Sequence, residues 1–569
     1  MWATAATIAF AIGCAPRAKT KSAAPPAPAA AMGGHAGHAM PAEARTVPDG
    51  ATAPLFGDLG DHHVPITTSS ALAQRYFDQG LTLAYAFNHA EAVRSFRQAS
   101  RIDPSCAMCF WGEAYALGSN INAPMDPAAA PEAWNALQKA RAVASGASPK
   151  EQALIEALSQ RYAESPPADR APLDRAYADA MREVARRHPE DDDVQTLFAE
   201  SVMDTMPWNY YAADGSPKPE TVEITGVLES TLARAPSHPG AIHFYIHAVE
   251  ASSRPERAEA HADRLLGLVP GAGHLVHMPS HIYLRVGRYA DASRANELAA
   301  RADESYIRQC QVQGVYPALY YSHNLHFLWA SSSFEGKSQV AIAAADKLVA
   351  NISPETREKL PFVEEFLPTD LYALARFGRW KEILARPAPD PRRPYLTGAW
   401  HYVRGLALAG RGLNEAAMRE HRRVLEIAAS PALADRTFAS GSTPKKLLTI
   451  AAVDLGGRVA ANRGDYATAV SLLEKAVALQ DSLPYTEPPP WYFPEREALA
   501  EVLLRAGRPV EAQTVYQEQL ERTPRNGWSL FGLAQSLRAQ GRTGDAEQIE
   551  NEFTITWERA DVPLRASVF

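Results

Sequence analysis

The chain has 569 residues, of which 46% are hydrophobic, 21% charged and 9% aromatic. Its net charge of −8 comes from 57 basic and 65 acidic residues that are well mixed, which gives no reason to expect a nucleic-acid partner. No apolar run reaches the roughly eighteen residues of a membrane span, so a protein with several spans is excluded. Four cysteines are too few for a disulfide-rich scaffold.

The N-terminal segment, residues 1–14, resembles a bacterial lipoprotein signal. Its apolar residues end in AIGC at positions 11–14, a lipobox-like sequence in which Cys14 would carry the lipid, although the basic start of a signal peptide is missing. A leader rich in alanine is the alternative. Residues 15–60 are rich in Ala, Pro and Gly and predict a disordered tether. Together these segments predict a protein in the cell envelope, lipid-anchored in the periplasm or at the outer membrane, or a secreted protein.

The remaining chain, residues 61–569, is predicted to be helical, because segments of helical periodicity alternate with short turns and no strand pattern is convincing. The same residue type recurs 34 positions later in three pairs: Gly507 and Gly541, Ala258 and Ala292, and Pro236 and Pro270. This spacing resembles the tetratricopeptide repeat (TPR), a helix-turn-helix unit. The resemblance implies an all-α fold, a single TPR-like α-solenoid in which helical hairpins form a right-handed superhelix.

About ten to twelve hairpins fit this length at 34 residues each. Some of them are degenerate, at 151–190, 192–235 and 365–390. Insertions interrupt the period at 118–131, 208–219, 308–321 and 483–490.

Most of the histidines between residues 239 and 340 fall in phase with the repeat. In the TPR family, positions 2, 5, 9 and 12 of the first helix line the concave groove, and the register here follows from Gly, Ala and Pro alone. Seven histidines and one carboxylate then share the groove of the central repeats, about 192–355: His243, His247, Glu250, His274, His277, His281, His323 and His326. The last two histidines rest on a less well-determined register.

This histidine pattern predicts a transition-metal site. Neighbouring helices lie about 8–10 Å apart, so imidazoles from several of them can reach one ion. Seven imidazoles exceed one tetrahedral shell, which allows either two metals or one metal with an outer ring of histidines. Nitrogen-rich ligation suits copper, zinc or iron and argues against calcium and magnesium. Glu250 is the candidate carboxylate ligand or general base.

Two functional classes follow from the same pattern. An open coordination position on a metal activates water or O2, which would make the protein a metal-dependent oxidoreductase or hydrolase, and the sequence leaves open whether it is an enzyme. The alternative is a metal-free scaffold whose groove binds a peptide or protein partner, as solenoids commonly do.

A Cys-x-x-Cys motif, Cys106 and Cys109, lies at the start of a predicted helix and lacks the following His of a c-type haem site. A disulfide, half of a metal site and two packed thiols are all compatible with it, and we favour a structural role. A further resemblance, to uncharacterised bacterial TPR proteins, rests on three short segments: Phe87-Asn88-His89, Trp111-Gly112 and the HMPSHIY sequence at 277–283. It implies the fold but no activity.

Overall fold

A computed structural model describes residues 45–46, 53–212, 214–310, 316–434 and 436–569. The predicted lipobox with Cys14 and most of the predicted tether therefore lie outside the described residues. Among the described helices, none is long and apolar enough to span a membrane.

The first part of the described chain forms two short strands and ten helices. The strands, β1 (Arg45–Thr46) and β2 (Leu55–Phe56), pair in antiparallel fashion. The helices are α1 (Ala71–Tyr85), α2 (His89–Ile102), α3 (Ala107–Ala116), α4 (Ala130–Val143), α5 (Pro149–Ser159), α6 (Ala171–Arg187), α7 (Asp192–Met203), α8 (Pro219–Arg234), α9 (Pro239–Val249) and α10 (Glu259–Leu265).

The central and C-terminal parts continue the helical pattern. The helices are α11 (Gly273–His277), α12 (Pro279–Arg285), α13 (Tyr289–Cys310), α14 (Ser322–Phe334), α15 (Ser338–Asn351), α16 (Pro354–Lys359), α17 (Thr369–Arg376), α18 (Trp380–Ala385), α19 (Pro394–Ala409), α20 (Asn414–Ala428), α21 (Pro444–Asn462), α22 (Tyr466–Asp481), α23 (Glu495–Arg505), α24 (Pro509–Arg522), α25 (Gly527–Ala539) and α26 (Thr543–Thr556). A π-helical turn, Pro317–Tyr321, leads directly into α14.

The helices pack as successive hairpins, each helix against its neighbours in sequence, and this confirms the predicted TPR-like α-solenoid. The four predicted insertions all coincide with connections between helices, and the degenerate repeats still form helix pairs, as α5 with α6 shows. Small residues allow the close approach within a hairpin. A Cβ atom on Gly80 would lie 2.7 Å from the Phe96 ring, which occupies the space between α1 and α3.

The folded region includes residues that the sequence assigns to the tether. Leu55 and Leu59 are buried against the first repeats, and the Tyr76 hydroxyl donates a hydrogen bond to the Ala53 carbonyl at 2.7 Å. A segment poor in large apolar residues is still fixed here, because those few side chains and its backbone find partners on the solenoid.

The last repeats contact the central ones, which joins parts of the chain that are far apart in sequence. The Trp528 indole donates to the Ser333 carbonyl at 3.0 Å, and the Tyr289 hydroxyl donates to the Pro524 carbonyl at 2.8 Å. Asp561 accepts the backbone N–H groups at the start of α15. The histidine-bearing repeats are thus held between the N-terminal and C-terminal parts of the solenoid.

Candidate metal centre

The seven predicted histidines lie on α9, α11, α12 and α14. His243 and His247 occupy one face of α9, one turn apart, and His323 and His326 lie on α14. The helix between them is broken into α11 and α12 at Pro279, which has no backbone N–H to continue the helix.

The structure brings six of the seven histidines together in two groups. The first group is His243, His247 and His274, and the second group is His277, His281 and His323. Within each group, one ring nitrogen from every member lies within 4.8 Å of the others. The groups are adjacent, since the ring centroids of His274 and His277 are 5.8 Å apart and those of His247 and His281 are 5.6 Å apart.

Hydrogen bonds to Nδ1 fix the tautomers of four of these rings. His243 Nδ1 contacts the Tyr85 carbonyl at 2.6 Å, and His277 Nδ1 contacts Asn296 Oδ1 at 2.6 Å. The orientation of the Asn296 amide is set by its Nδ2 group, which donates to the Ala292 carbonyl at 2.8 Å. Each acceptor requires a proton on Nδ1, so the neutral ring presents the lone pair of Nε2 to the interior of its group.

Glu250 supplies the acceptor for the other two rings. Its Oε1 contacts His247 Nδ1 at 2.8 Å and its Oε2 contacts His281 Nδ1 at 2.6 Å, so one buried carboxylate holds a histidine of each group. In known metal sites, such a carboxylate orients the imidazole and raises its basicity. Here Glu250 lies behind the rings, on the side opposite the converging Nε2 atoms.

The Nε2 atoms face one another without donors between them. His277 Nε2 and His281 Nε2 are 2.9 Å apart, and Nε2 of His243 and of His247 have no hydrogen-bond partner. Neither ring nitrogen of His274 has one. Two ligands at a metal–nitrogen distance of about 2.0–2.1 Å in tetrahedral geometry are about 3.3 Å apart, so this pair would have to separate by about 0.4 Å to share a metal.

Burial keeps the rings uncharged. His243, His247, His274, His277 and His281 are each at most 2% exposed. Burial lowers the pKa of His243, His247, His281 and His323 to about 3, and it lowers the pKa of His274 and His277 well below the usual value, with further lowering by neighbouring histidines. Neutral imidazole is the form that binds metals.

His326 is the one predicted histidine that lies outside both groups. Its ring stacks on Trp329, at 5.0 Å between centroids and 17° between planes, and contacts Phe366 edge-on at 5.2 Å. Its pKa is also lowered to about 3 by burial. The packing of α14 against Phe366 therefore gives this side chain a different set of neighbours.

Aromatic residues that sequence reasoning did not include complete each group. Phe87 lies 4.5 Å from His243 and 5.3 Å from His274, and Phe327 lies 4.6 Å from His281 and 4.8 Å from His277, between ring centroids. The i,i+4 spacing of His323 and Phe327 on α14 is the sequence signal that could have found the second contact.

Two of the aromatic residues that pack on the first group, Phe87 and Trp208, have strained backbone conformations. Of the three non-glycine residues with positive φ in the described chain, two contact the first group: Phe87 at 55° and Trp208 at 59°. The Trp208 indole meets the His247 ring edge-on at 5.1 Å and is 36% exposed. Non-glycine residues in this conformation cost about 1–3 kcal/mol each and are found preferentially at functional sites.

The histidine surface differs from the open concave groove that the sequence predicts. Phe87, Trp208 and Tyr320 cover the rings, and the insertion at 483–490 brings the Tyr485 hydroxyl to 3.5 Å from Glu250 Oε2. The register places side chains on a helix face but does not show which other parts of the chain cover that face. In this conformation five of the histidines, His243, His247, His274, His277 and His281, are at most 2% exposed.

A third cluster, His62, Asp193 and His238, has a different character. His238 Nδ1 accepts the Ala241 N–H at 3.1 Å, so the neutral ring carries its proton on Nε2 and donates it to Asp193 Oδ1 at 3.1 Å. The same oxygen contacts His62 Nε2 at 3.0 Å. With its tautomer fixed in this way, His238 has no free lone pair for a metal, and the cluster attaches the N-terminal segment to α7 and α9.

Cys106 and Cys109 form a disulfide at the start of α3, and both residues are buried. Of the three alternatives that the motif allowed, the structure therefore has the disulfide. It lies outside both histidine groups.

Comparisons with known proteins show similarity of fold alone. No protein-family model matches the chain, and no curated protein matches its sequence. One similar solved structure is the human IFIT1 dimer with m7Gppp-AAAA, at 10% identity and a TM-score of 0.32, with 86% of this chain and 91% of that chain covered. Another is the APC/C hetero-tetramer Cut9–Hcn1, at 13% identity and a TM-score of 0.29, with 87% of this chain and 76% of that chain covered. A third is the P58(IPK) TPR domain, at 10% identity and a TM-score of 0.23, with 83% of this chain and 99% of that chain covered. TM-scores this low carry no functional implication.

Proposed function

We propose that this protein binds a transition metal through the two histidine groups at the centre of its TPR-like scaffold. The observation that carries the proposal is the pair of Nε2 atoms of His277 and His281, 2.9 Å apart, each with its proton held on Nδ1 by an acceptor. Two lone pairs at this distance repel each other. Burial disfavours a shared proton, so a metal ion is the partner that suits them.

The chemistry of the ligands limits which metals the site suits and which reactions they support. Imidazole nitrogens suit copper, zinc and iron, and the groups contain no carboxylate cage of the kind that calcium requires. Three protein ligands leave a coordination position for water, hydroxide or O2, which supports oxidoreductase or hydrolase chemistry at the centre. The lipobox-like N-terminus supports a location in the cell envelope.

Metal content tests the proposal directly. The full chain is purified without a histidine tag from cells grown with copper, zinc and iron, and its metals are measured by plasma mass spectrometry. We expect metal in the wild type and a loss in His277→Asn/His281→Asn, with His326→Asn as the control, a half-buried histidine outside both groups. Metal-free wild-type protein, or an unchanged content in the double variant, would overturn the proposal.

A second candidate function, a protein-binding scaffold, is favoured by exposed apolar side chains of the C-terminal repeats. Several large apolar side chains there are exposed: Leu413 (50%), Leu425 (47%), Val510 (62%) and Ile555 (76%). Apolar side chains are common on protein surfaces, but several in one half of a solenoid suit a docking face. Cross-linking in cell extract followed by mass spectrometry tests this function. A partner that binds at α20 should lose its cross-links in Leu413→Asp/Leu425→Asp, and a partner whose cross-links survive does not bind at α20.

A further inference from the structure

The two histidine groups are built alike. Each consists of two histidines four residues apart, His243 with His247 and His277 with His281, and a third histidine from another helix. Each is packed against one phenylalanine, Phe87 or Phe327, whose ring lies within 6.2 Å of all three imidazoles. Because each group by itself offers three convergent nitrogens, neither needs the other to complete a trigonal site.

We infer that the centre takes two ions, one in each group, and that these ions are univalent copper. The inference rests on the proposed function and deepens it. It assigns the number of metals and their charge, and it gives Glu250 the role of a positioning residue shared by both sites.

The charge of the surroundings favours a univalent ion. The six ligands are neutral, and the carboxylate of Glu250 is hydrogen-bonded to one histidine of each site. Arg285 partly balances that charge, since its guanidinium donates to the Glu250 carbonyl at 2.8 Å. Two divalent ions would bring four positive charges into this buried region, whereas two univalent ions bring two, and the desolvation cost rises steeply with charge.

The ligand number points the same way. Structural zinc is almost always four-coordinate, and neither group offers a fourth protein ligand among the described residues, which argues against a structural zinc site and leaves catalytic zinc to the competition experiment below. Cu(I) accepts three-coordinate ligation by neutral nitrogens. Among the metals that imidazole binds well, copper is the one that is ordinarily available as a univalent ion.

Asparagine variants separate the ligand role of these histidines from their packing. In His247→Asn and His281→Asn, the amide Nδ2 takes the place of Nδ1 and can still donate to Glu250, while the metal-binding Nε2 is lost. The full chain and its variants are titrated anaerobically with Cu(I) against bicinchoninate, and circular dichroism confirms that each variant is folded.

We expect two Cu(I) per chain in the wild type and in His326→Asn, one in each single variant and none in His247→Asn/His281→Asn. We also expect Cu(I) to bind at least tenfold more tightly than Zn²⁺ in parallel competition. One ion per chain, abolished by either single variant, would overturn the paired centre and leave the proposed function standing. Tighter binding of Zn²⁺ would overturn the univalent assignment. Binding of no metal at all, with Cu(I), Zn²⁺ and Fe²⁺ each tried, would overturn the proposed function itself.

Discussion

The Nε2 atoms of His277 and His281 lie 2.9 Å apart across the helix break at Pro279, and neither has a hydrogen to donate to the other. Such an arrangement is unfavourable until a cation lies between the nitrogens. Metal binding should therefore stabilise the native state.

Metal removal is the first prediction. Dialysis against a chelator should lower the melting temperature, and readdition of the metal should restore it, because a ligand that binds only the folded state adds about 2.7 kcal/mol at a concentration 100-fold above its Kd. Differential scanning calorimetry measures the shift. His277→Asn/His281→Asn should show a much smaller shift, and an equal shift in that variant would place the metal elsewhere.

Glu250→Gln should weaken metal binding about 10–100-fold without unfolding the protein, since outer-shell partners of metal-bound histidines have effects of this size. The amide can accept from one histidine but presents a donor to the other, so one ring loses its fixed tautomer. Competition with a chromophoric chelator measures the affinity. Glu364→Gln, another buried carboxylate, is the control and should bind metal like the wild type. Equal affinities in the two variants would contradict the positioning role.

Trp208→Ala should speed the release of metal to a chelator several-fold while leaving the number of bound ions unchanged. The indole covers His247 from the exposed side, at 5.1 Å, and contributes no ligand atom. Stopped-flow measurement of the transfer to the chelator tests this. Trp400→Ala, a partly buried tryptophan that packs on His401, serves as the control. Unchanged release rates in Trp208→Ala would show that the metal enters by another route.

Asp303→Asn should change how stability depends on pH. Burial raises the pKa of Asp303 to about 7, despite hydrogen bonds from Tyr316 and Asn324 that lower it. A carboxyl group with a raised native pKa binds its proton more tightly when folded. It therefore stabilises the native state at acidic pH, and this contribution is lost as the pH rises from about 4 to 7.

The measurement is urea denaturation at pH 4.5, 6 and 7.5. The free energy of unfolding of the wild type should fall over this range relative to that of Asp303→Asn, by about 1.4 kcal/mol for each pH unit over which the group releases its proton only in the unfolded state. A constant difference between the two proteins would show that Asp303 does not titrate in this range.

Gly336→Ala should destabilise the protein by more than Gly541→Ala. Both glycines have φ near +75°, so alanine is strained at each. Only at Gly336 would the new Cβ collide with a neighbour, the Trp557 ring at 2.5 Å. The difference between the two variants, expected at about 1–3 kcal/mol by chemical denaturation, measures the contact between the central and last repeats. Equal losses of stability in the two variants would mean that the central and last repeats separate freely.

The sequence was sufficient to predict the solenoid, because each repeat is a local unit. The 34-residue recurrence of Gly, Ala and Pro sets where hairpins turn and where two helices approach closely, and helix packing between neighbours follows from that. The same register also placed His243, His247, His274, His277, His281 and His323 on helices that meet. Only His326 falls among other neighbours, Trp329 and Phe366, which the repeat register does not specify.

Tertiary structure decided everything that depends on chain segments far from the repeat concerned. It covered the predicted groove with Phe87, Trp208 and Tyr485, and it divided the histidines into two groups. It also made Glu250, the candidate carboxylate ligand or general base, the hydrogen-bond partner of one ring in each group. Periodicity determines which face of a helix a residue occupies, since that is a local property of the backbone. The hydrogen-bond partners and the burial of that face depend on packing within and between repeats, including the distant contact of His243 with the Tyr85 carbonyl, and only the folded chain specifies them.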